Sequence, residues 1–155
     1  MRSDDALEDA LVRTSFRVMA VLTRIGSDHD LSLTQLRVLG LLRDRRPRMT
    51  ELAAFLGLDK STMSGLVERA ERRGLVARGR SAEDRRAVDV FITPEGRELT
   101  DRVQEEIRAE LAPFTDRLRA DDRHLLTRLL DSLSDAATAH QAARGAAGTL
   151  PLGRA

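Results

Sequence analysis

The chain has 155 residues, 41% hydrophobic and 33% charged, with no Cys, Trp or Tyr and only four Phe. That length supports one domain with a real core, or one domain extended by dimer-forming helices, and excludes two independent ones. The missing cysteines exclude disulfides, thiolate catalysis, thiolate zinc sites and thiol-based redox sensing. No run reaches the roughly 18 to 20 apolar residues of a membrane helix, and the opening MRSDDALEDA is acidic where a secretory signal is basic and then apolar. A soluble cytoplasmic protein is expected. The net charge of +1 hides a split, because residues 43–86 hold twelve basic against seven acidic side chains, which leaves −4 for the rest. A basic middle between acidic flanks points to an anionic partner for the middle alone.

Over residues 5–25, Leu7, Leu11, Val18, Leu22 and Ile25 recur as one helical stripe, and Gly26 with the polar residues after it predicts the helix end. A second helix is expected from about Ser32 through Leu42, dense in apolar positions and stopped by the run around Pro47. Thr50 fits the N-cap of a short third helix carrying Leu52, Ala53, Phe55 and Leu56, with Gly57 at its left-handed end. Asp59 or Ser61 caps the next, whose stripe is Met63, Leu66, Val67 and Ala70 and whose terminator is Gly74. Two short helices joined by a tight turn read as a helix-turn-helix.

The period then changes. Residues 75–80 and the alternation of Val88, Val90 and Ile92 predict two strands around a charged loop at 81–87. Thr93, Pro94 and Glu95 announce a long helix with the stripe Leu99, Val103, Ile107 and Leu111 and a break near Pro113. A last helix from about Asp121 carries Leu125, Leu126, Leu129, Leu130 and Leu133, a broad stripe that needs a partner surface. The small residues, glycines and Pro151 of 142–155 predict a flexible tail.

In a helix-turn-helix the second helix enters the major groove and needs small or polar donors on its exposed N-terminal face. Lys60, Ser61, Thr62, Ser64 and Gly65 meet that need. By themselves these residues also suit an ordinary capped surface helix. The loop SAEDRRA, at residues 81–87, puts Arg85 and Arg86 at a hairpin tip with Asp84 close enough to hold one in place, which suits insertion into the minor groove. Such a tip is otherwise a solvated turn that protects an edge from aggregation. The two features in this order and this close reinforce each other.

These segments resemble the MarR family of transcriptional regulators: LTQLRVL (33–39) its second helix, TELAAFLGLDKSTMSGLVERAERRGLV (50–76) its helix-turn-helix, and DRRAVDVFITPEG (84–96) its wing and following helix start. The resemblance covers about 65 residues and is most specific in the wing. It implies a mainly α (α+β) fold, with a winged helix-turn-helix core at 31–93 and helices at 1–30 and 94–141 forming a dimerisation region through Leu7, Leu11, Leu126, Leu129, Leu130 and Leu133. It further implies that Arg86 is the minor-groove arginine with Asp84 as its acidic partner, and that Ser61, Thr62 and Ser64 lie at recognition-helix contact positions. Arg37, Lys60, Arg69 and Arg85 would meet phosphates. The partners implied are double-stranded DNA, a second copy of the chain and a small-molecule effector. The chain departs from the family's thiol-sensing members in having no Cys, and from its urate-responsive group in having no Trp. His29, His124 and His140 are too scattered for a zinc sensor, so neither metal nor cofactor is expected.

Two rival classes were weighed. For an enzyme there is no Ser-His-Asp order, phosphate-binding Gly loop or carboxylate pair in a recognisable cleft. A winged-helix protein-interaction module or a small-molecule sensor that does not bind DNA remains open, since fold does not settle function, but it leaves the arginine-tipped wing without a role. The expected function is a homodimeric, sequence-specific, ligand-responsive repressor on a pseudo-palindromic operator.

Overall fold

A computed structural model describes residues 3–147, with side chains for 5–140. Its elements are α1 (Ser3–Asp28), α2 (Leu33–Leu42), α3 (Met49–Leu56), α4 (Lys60–Arg72), β1 (Val76–Arg80), β2 (Val88–Ile92), α5 (Pro94–Thr115) and α6 (Ala120–Ala147). Among the described residues no helix is long and apolar enough to cross a membrane.

Helix α1 does not end at Gly26 but runs on to Asp28, and the left-handed residue is Asp30 (φ 54°). Gly26 serves a different need. A Cβ there would stand 2.6 Å from the Leu31 carbonyl oxygen, so its bare backbone lets the chain fold back against the helix it has just left. Ser32 then caps α2 in a reciprocal box, accepting from the Gln35 N–H (3.2 Å) while Gln35 Oε1 accepts from the Ser32 N–H (2.8 Å).

Helix α3 starts two residues earlier than Thr50 as N-cap predicts. Arg48 is its N-cap, and the Glu51 carboxylate reaches back to the Arg48 N–H at 2.9 Å, which supplies the acceptor that an arginine side chain cannot. Gly57 (φ 66°) closes α3 as expected, and Asp59 caps α4.

Strands β1 and β2 pair antiparallel, Val76 opposite Ile92 and Arg80 opposite Val88. The expected alternation fails at one position. Val88 is exposed at 42%, whereas Asp89 is buried at 8%. The connection between α2 and α3 lies along that edge: the Val90 N–H donates to the Pro47 carbonyl (2.9 Å), Arg48 bridges to Asp89, and Arg46 pairs with the Asp89 carboxylate at 3.5 Å. A single β-bridge from this connection thus buries an acid that period-two patterning turns outward, and its cation comes along with it.

The core gathers Ile25 from α1, Leu39 and Leu42 from α2, Leu52 from α3, Met63 and Val67 from α4, Val90 from β2 and Val103 from α5, all 4% exposed or less. It therefore lies beneath the helix-turn-helix and fixes α4 by its inner face. Helix α5 does not break at Pro113. It continues to Thr115, because a proline this near the end forfeits one hydrogen bond of the last turn, which the Asp116 N–H to Ala112 carbonyl bond (2.8 Å) then closes. Helix α6 runs to Ala147, so the first residues assigned to a tail are helical, while 148–155 lie outside the described residues.

The wing joins α5 at Gly96. A Cβ at this position would stand 1.9 Å from the Leu75 carbonyl oxygen and 2.8 Å from its carbon, both backbone atoms that no side-chain rotation can clear. Thr93 holds the same junction, its hydroxyl donating to the Gly74 carbonyl at 2.6 Å while accepting from the Gly96 N–H at 3.0 Å. Gly96→Ala is therefore expected to cost about 3 kcal/mol, overpacking against rigid backbone being the cause. Urea unfolding checks it, and an unchanged midpoint would contradict the close approach.

Candidate nucleic-acid interface

Helix α4 buries Met63, Leu66, Val67 and Ala70, which turns Lys60, Ser61, Thr62 and Arg69 to solvent and leaves Ser64 and Gly65 half-buried. This is the stripe arithmetic of an amphipathic helix, with the polar face at the N-terminal end. That end is more ordered than the sequence reading allows. The Asp59 carboxylate accepts from the Ser61 hydroxyl (2.6 Å), the Thr62 hydroxyl (2.5 Å) and the Thr62 N–H (2.9 Å). These bonds, the Ser61 hydroxyl first, hold Asp59 well below the usual carboxylate range. Ser61 and Thr62 are thus not free donors. With their protons committed to Asp59, they present oxygen lone pairs outward and suit base-edge amino groups or water.

The wing is braced at its tip. The Arg86 N–H donates to the Asp84 carboxylate (2.9 Å) and the Ala87 N–H to the Asp84 carbonyl (2.9 Å). Asp84 therefore holds Arg86 through its main chain, and the guanidinium is left exposed.

Between the start of α3, the face of α4 and the wing lies a groove of about 580 Å³. Its charged lining is Arg48, Lys60, Arg78, Arg80 and Arg86, with Ser64 and Thr50 beside them and no acid. Arg78 is pinned by Glu71 of α4, whose carboxylate takes its guanidinium at 2.6 Å and its N–H at 3.1 Å, and Arg48 pairs with Glu83 of the wing at 3.3 Å. Among the described residues, Lys60, Arg80 and Arg86 make no ion pair, so three cations per chain point into one concavity without an internal partner. A low-dielectric groove of one sign focuses potential and attracts a polyanion.

The structure brings Lys60, Ser64 and Arg86 together in this groove, and Ser61, Thr62, Gly65, Arg69 and Arg85 fall outside its lining. Sequence reasoning missed Arg48, Arg78 and Arg80. The i, i+2 spacing of Arg78 and Arg80 on one strand face was the available signal, whereas Arg48 arrives only through its bridge to Asp89. Arg37 lies elsewhere, 5.5 Å from the Phe55 ring centre and beside a second cavity of about 530 Å³ between α1, α2 and α5. Leu22, Leu31, Leu36, Val103 and Ile107 line that cavity, with Arg37, Arg43 and Asp44 at its polar side. Of the residues assigned to a dimer surface, Leu7, Leu126, Leu129, Leu130 and Leu133 are 42–57% exposed, and Leu11 is half-buried.

The family model whose description is MarR family matches residues 29–87, which span the helix-turn-helix, β1 and the wing loop and stop just before β2. The transcriptional regulator PecS of Dickeya dadantii is 30% identical over 127 residues, covering 77% of this chain and 76% of PecS. The chain belongs to the MarR family. A second MarR-family relative, the homoprotocatechuate degradative operon repressor of Escherichia coli, is 29% identical over 129 residues, 82% of this chain and 86% of that one. Among solved structures, CouR from Rhodococcus jostii RHA1, bound to p-coumaroyl-CoA, superposes with a TM-score of 0.67 at 25% identity over 82% of this chain and 90% of CouR. These relatives are transcriptional regulators and not enzymes, and the winged-helix fold described above matches that of solved MarR-family structures.

Proposed function

We propose that this MarR-family protein is a homodimeric repressor that binds a pseudo-palindromic duplex through two copies of the cationic groove and is released by a small organic effector. The observation that carries the DNA reading is the convergence of unpaired Lys60, Arg80 and Arg86 between a recognition helix and a wing. Helix α4 fits a major groove, and Arg86 on its braced turn reaches the adjacent minor groove, where arginine favours the concentrated negative potential. Lys60 and Arg80 then meet phosphates, while Ser61, Thr62, Ser64 and Arg69 lie along the face turned to the bases. A protein-interaction module leaves this acid-free groove unexplained.

Self-association is supported by the exposed apolar side chains. Five leucines on α6 and Leu7, Val12, Phe16 and Met19 on α1 are 42–69% exposed in the single chain, apolar surface that suits a protein partner. In this reading 1–30 and 94–141 make the dimer and 31–93 the two DNA-binding lobes. Two-fold symmetry then sets the recognition helices roughly 34–36 Å apart, one turn of DNA. A cytoplasmic location accompanies that role.

The cavity between α1, α2 and α5 is the effector site in this reading, since it joins the dimer helices to the lobe and its apolar walls end in Arg37 and in Arg43, the latter paired with Asp44 at 3.4 Å. CouR, bound to p-coumaroyl-CoA, and the homoprotocatechuate operon repressor support an aromatic, anionic class of effector. Release from DNA follows if effector binding favours a lobe spacing that no longer matches the operator.

A salt titration on a duplex selected from a random pool tests the groove. Lys60 and Arg80 on phosphates predict four phosphate neutralisations per dimer and a log–log slope of roughly −4. A slope near zero would sink the DNA reading.

A further inference from the structure

Helix α4 ends in a cluster of arginines that charge counting treats as one basic patch. The structure separates them. Arg72 pairs with Glu68 one turn back at 3.1 Å, and Arg69 lies along the exposed face above Gly65. Arg73, the C-cap residue, turns the other way: its guanidinium donates to the Asp30 carbonyl at 2.6 Å and to the His29 carbonyl at 3.0 Å. Those oxygens belong to the turn that closes α1, held by the positive φ of Asp30, where unpaired carbonyls carry the negative end of the helix dipole. The His29 ring in turn contacts both Glu106 carboxylate oxygens, at 3.0 and 3.1 Å, on α5. One guanidinium thus fastens the far end of the recognition helix to the junction of α1 and α5.

We infer that Arg73 is a positioning residue for base recognition, one that sets the angle of α4 against the terminal helices without touching DNA. This rests on the DNA-binding reading of α4. The lever is long: the 13 residues of α4 span about 20 Å, so a swing of about 5° around the Arg73 end moves Lys60 by roughly 1.7 Å. A shift of that size breaks the hydrogen bonds that distinguish bases, but it barely alters the attraction of a cationic groove for phosphates. At the wing side α4 is tied through Glu71 and Arg78, so the two ties together define its pose. The cavity wall begins one residue beyond the latch, at Leu31, which places the latch between the proposed effector site and the reading helix.

The test compares wild type with Arg73→Ala on two probes, a duplex that the wild-type protein selects from a random pool and a random-sequence duplex of equal length. Arg73→Ala is expected to bind the selected duplex about tenfold more weakly, with unchanged binding to the random duplex and an unchanged salt slope. Unaltered affinity for the selected duplex overturns the inference. An equal loss on both probes also overturns it, as does a slope shallower by about 2 per dimer, which marks Arg73 as a phosphate contact. Should the alanine variant fail to fold, Arg73→Lys keeps the charge but not the two-pronged bond, and a loss of about threefold confined to the selected duplex is expected. No loss from the lysine variant overturns the inference. Failure of the wild-type protein to select any duplex is a different result and removes the DNA reading itself.

Discussion

Replacing Arg86 with alanine is expected to weaken binding to a selected duplex roughly a hundredfold, since two wings engage one site and each loses a contact worth about 1–2 kcal/mol. The turn itself survives the change. Asp84 grips residue 86 through the main-chain N–H, and the Arg86 side chain is exposed, so nothing in the fold depends on the guanidinium. The dimer and the thermal stability should accordingly match the wild type. Gel-shift or anisotropy titration measures the affinity, and sedimentation checks the assembly. Wild-type affinity in the variant would remove the wing from the interface and leave the groove to Lys60 and Arg80. Arg85, one residue earlier and outside the groove lining, supplies the internal comparison: its alanine variant should cost far less.

Exchanging Leu126 and Leu130 together for glutamate is expected to convert the dimer into a folded monomer of 17.2 kDa. The two side chains lie one turn apart on α6 and are 42% and 45% exposed within a single chain, so the change costs the protomer little. A two-fold interface repeats each substitution, which sets four carboxylates in an apolar contact where every unpaired charge costs several kcal/mol. DNA affinity should fall at least about a thousandfold, because a monomer engages one half-site and gives up the added free energy of the second. Light scattering and a binding titration check both results. A double variant that remains dimeric would move the interface away from α6.

Much of this architecture is legible before any coordinates are known, and the reason is local. Apolar spacing along 33–42 and 60–72, the left-handed glycine at 57 and the cap at Asp59 are decided by neighbours within a turn or two. The errors share a cause as well. Gly26 reads as a helix stop, but the approach of the Leu31 carbonyl explains it. Asp89 reads as an outward residue, yet it is buried because a segment some forty positions earlier supplies a β-bridge and a cation. Thr50 reads as a cap, but Glu51 lets an arginine take that place.

The charge split shows the same division. Residue order alone establishes that positions 43–86 carry an excess of five positive charges, that no thiol chemistry is open to the chain, and that a helix-turn-helix precedes an arginine-tipped hairpin. Which cations remain available is set by the folded arrangement. Arg48, Arg72 and Arg78 are held by Glu83, Glu68 and Glu71, Arg46 serves the buried Asp89, and Arg73 fastens one helix to the turn after another. Lys60, Arg80 and Arg86 are left facing one groove. A charge count adds residues without regard to direction, whereas electrostatic attraction depends on which charges lie within a few ångströms of each other, and folding sets those distances.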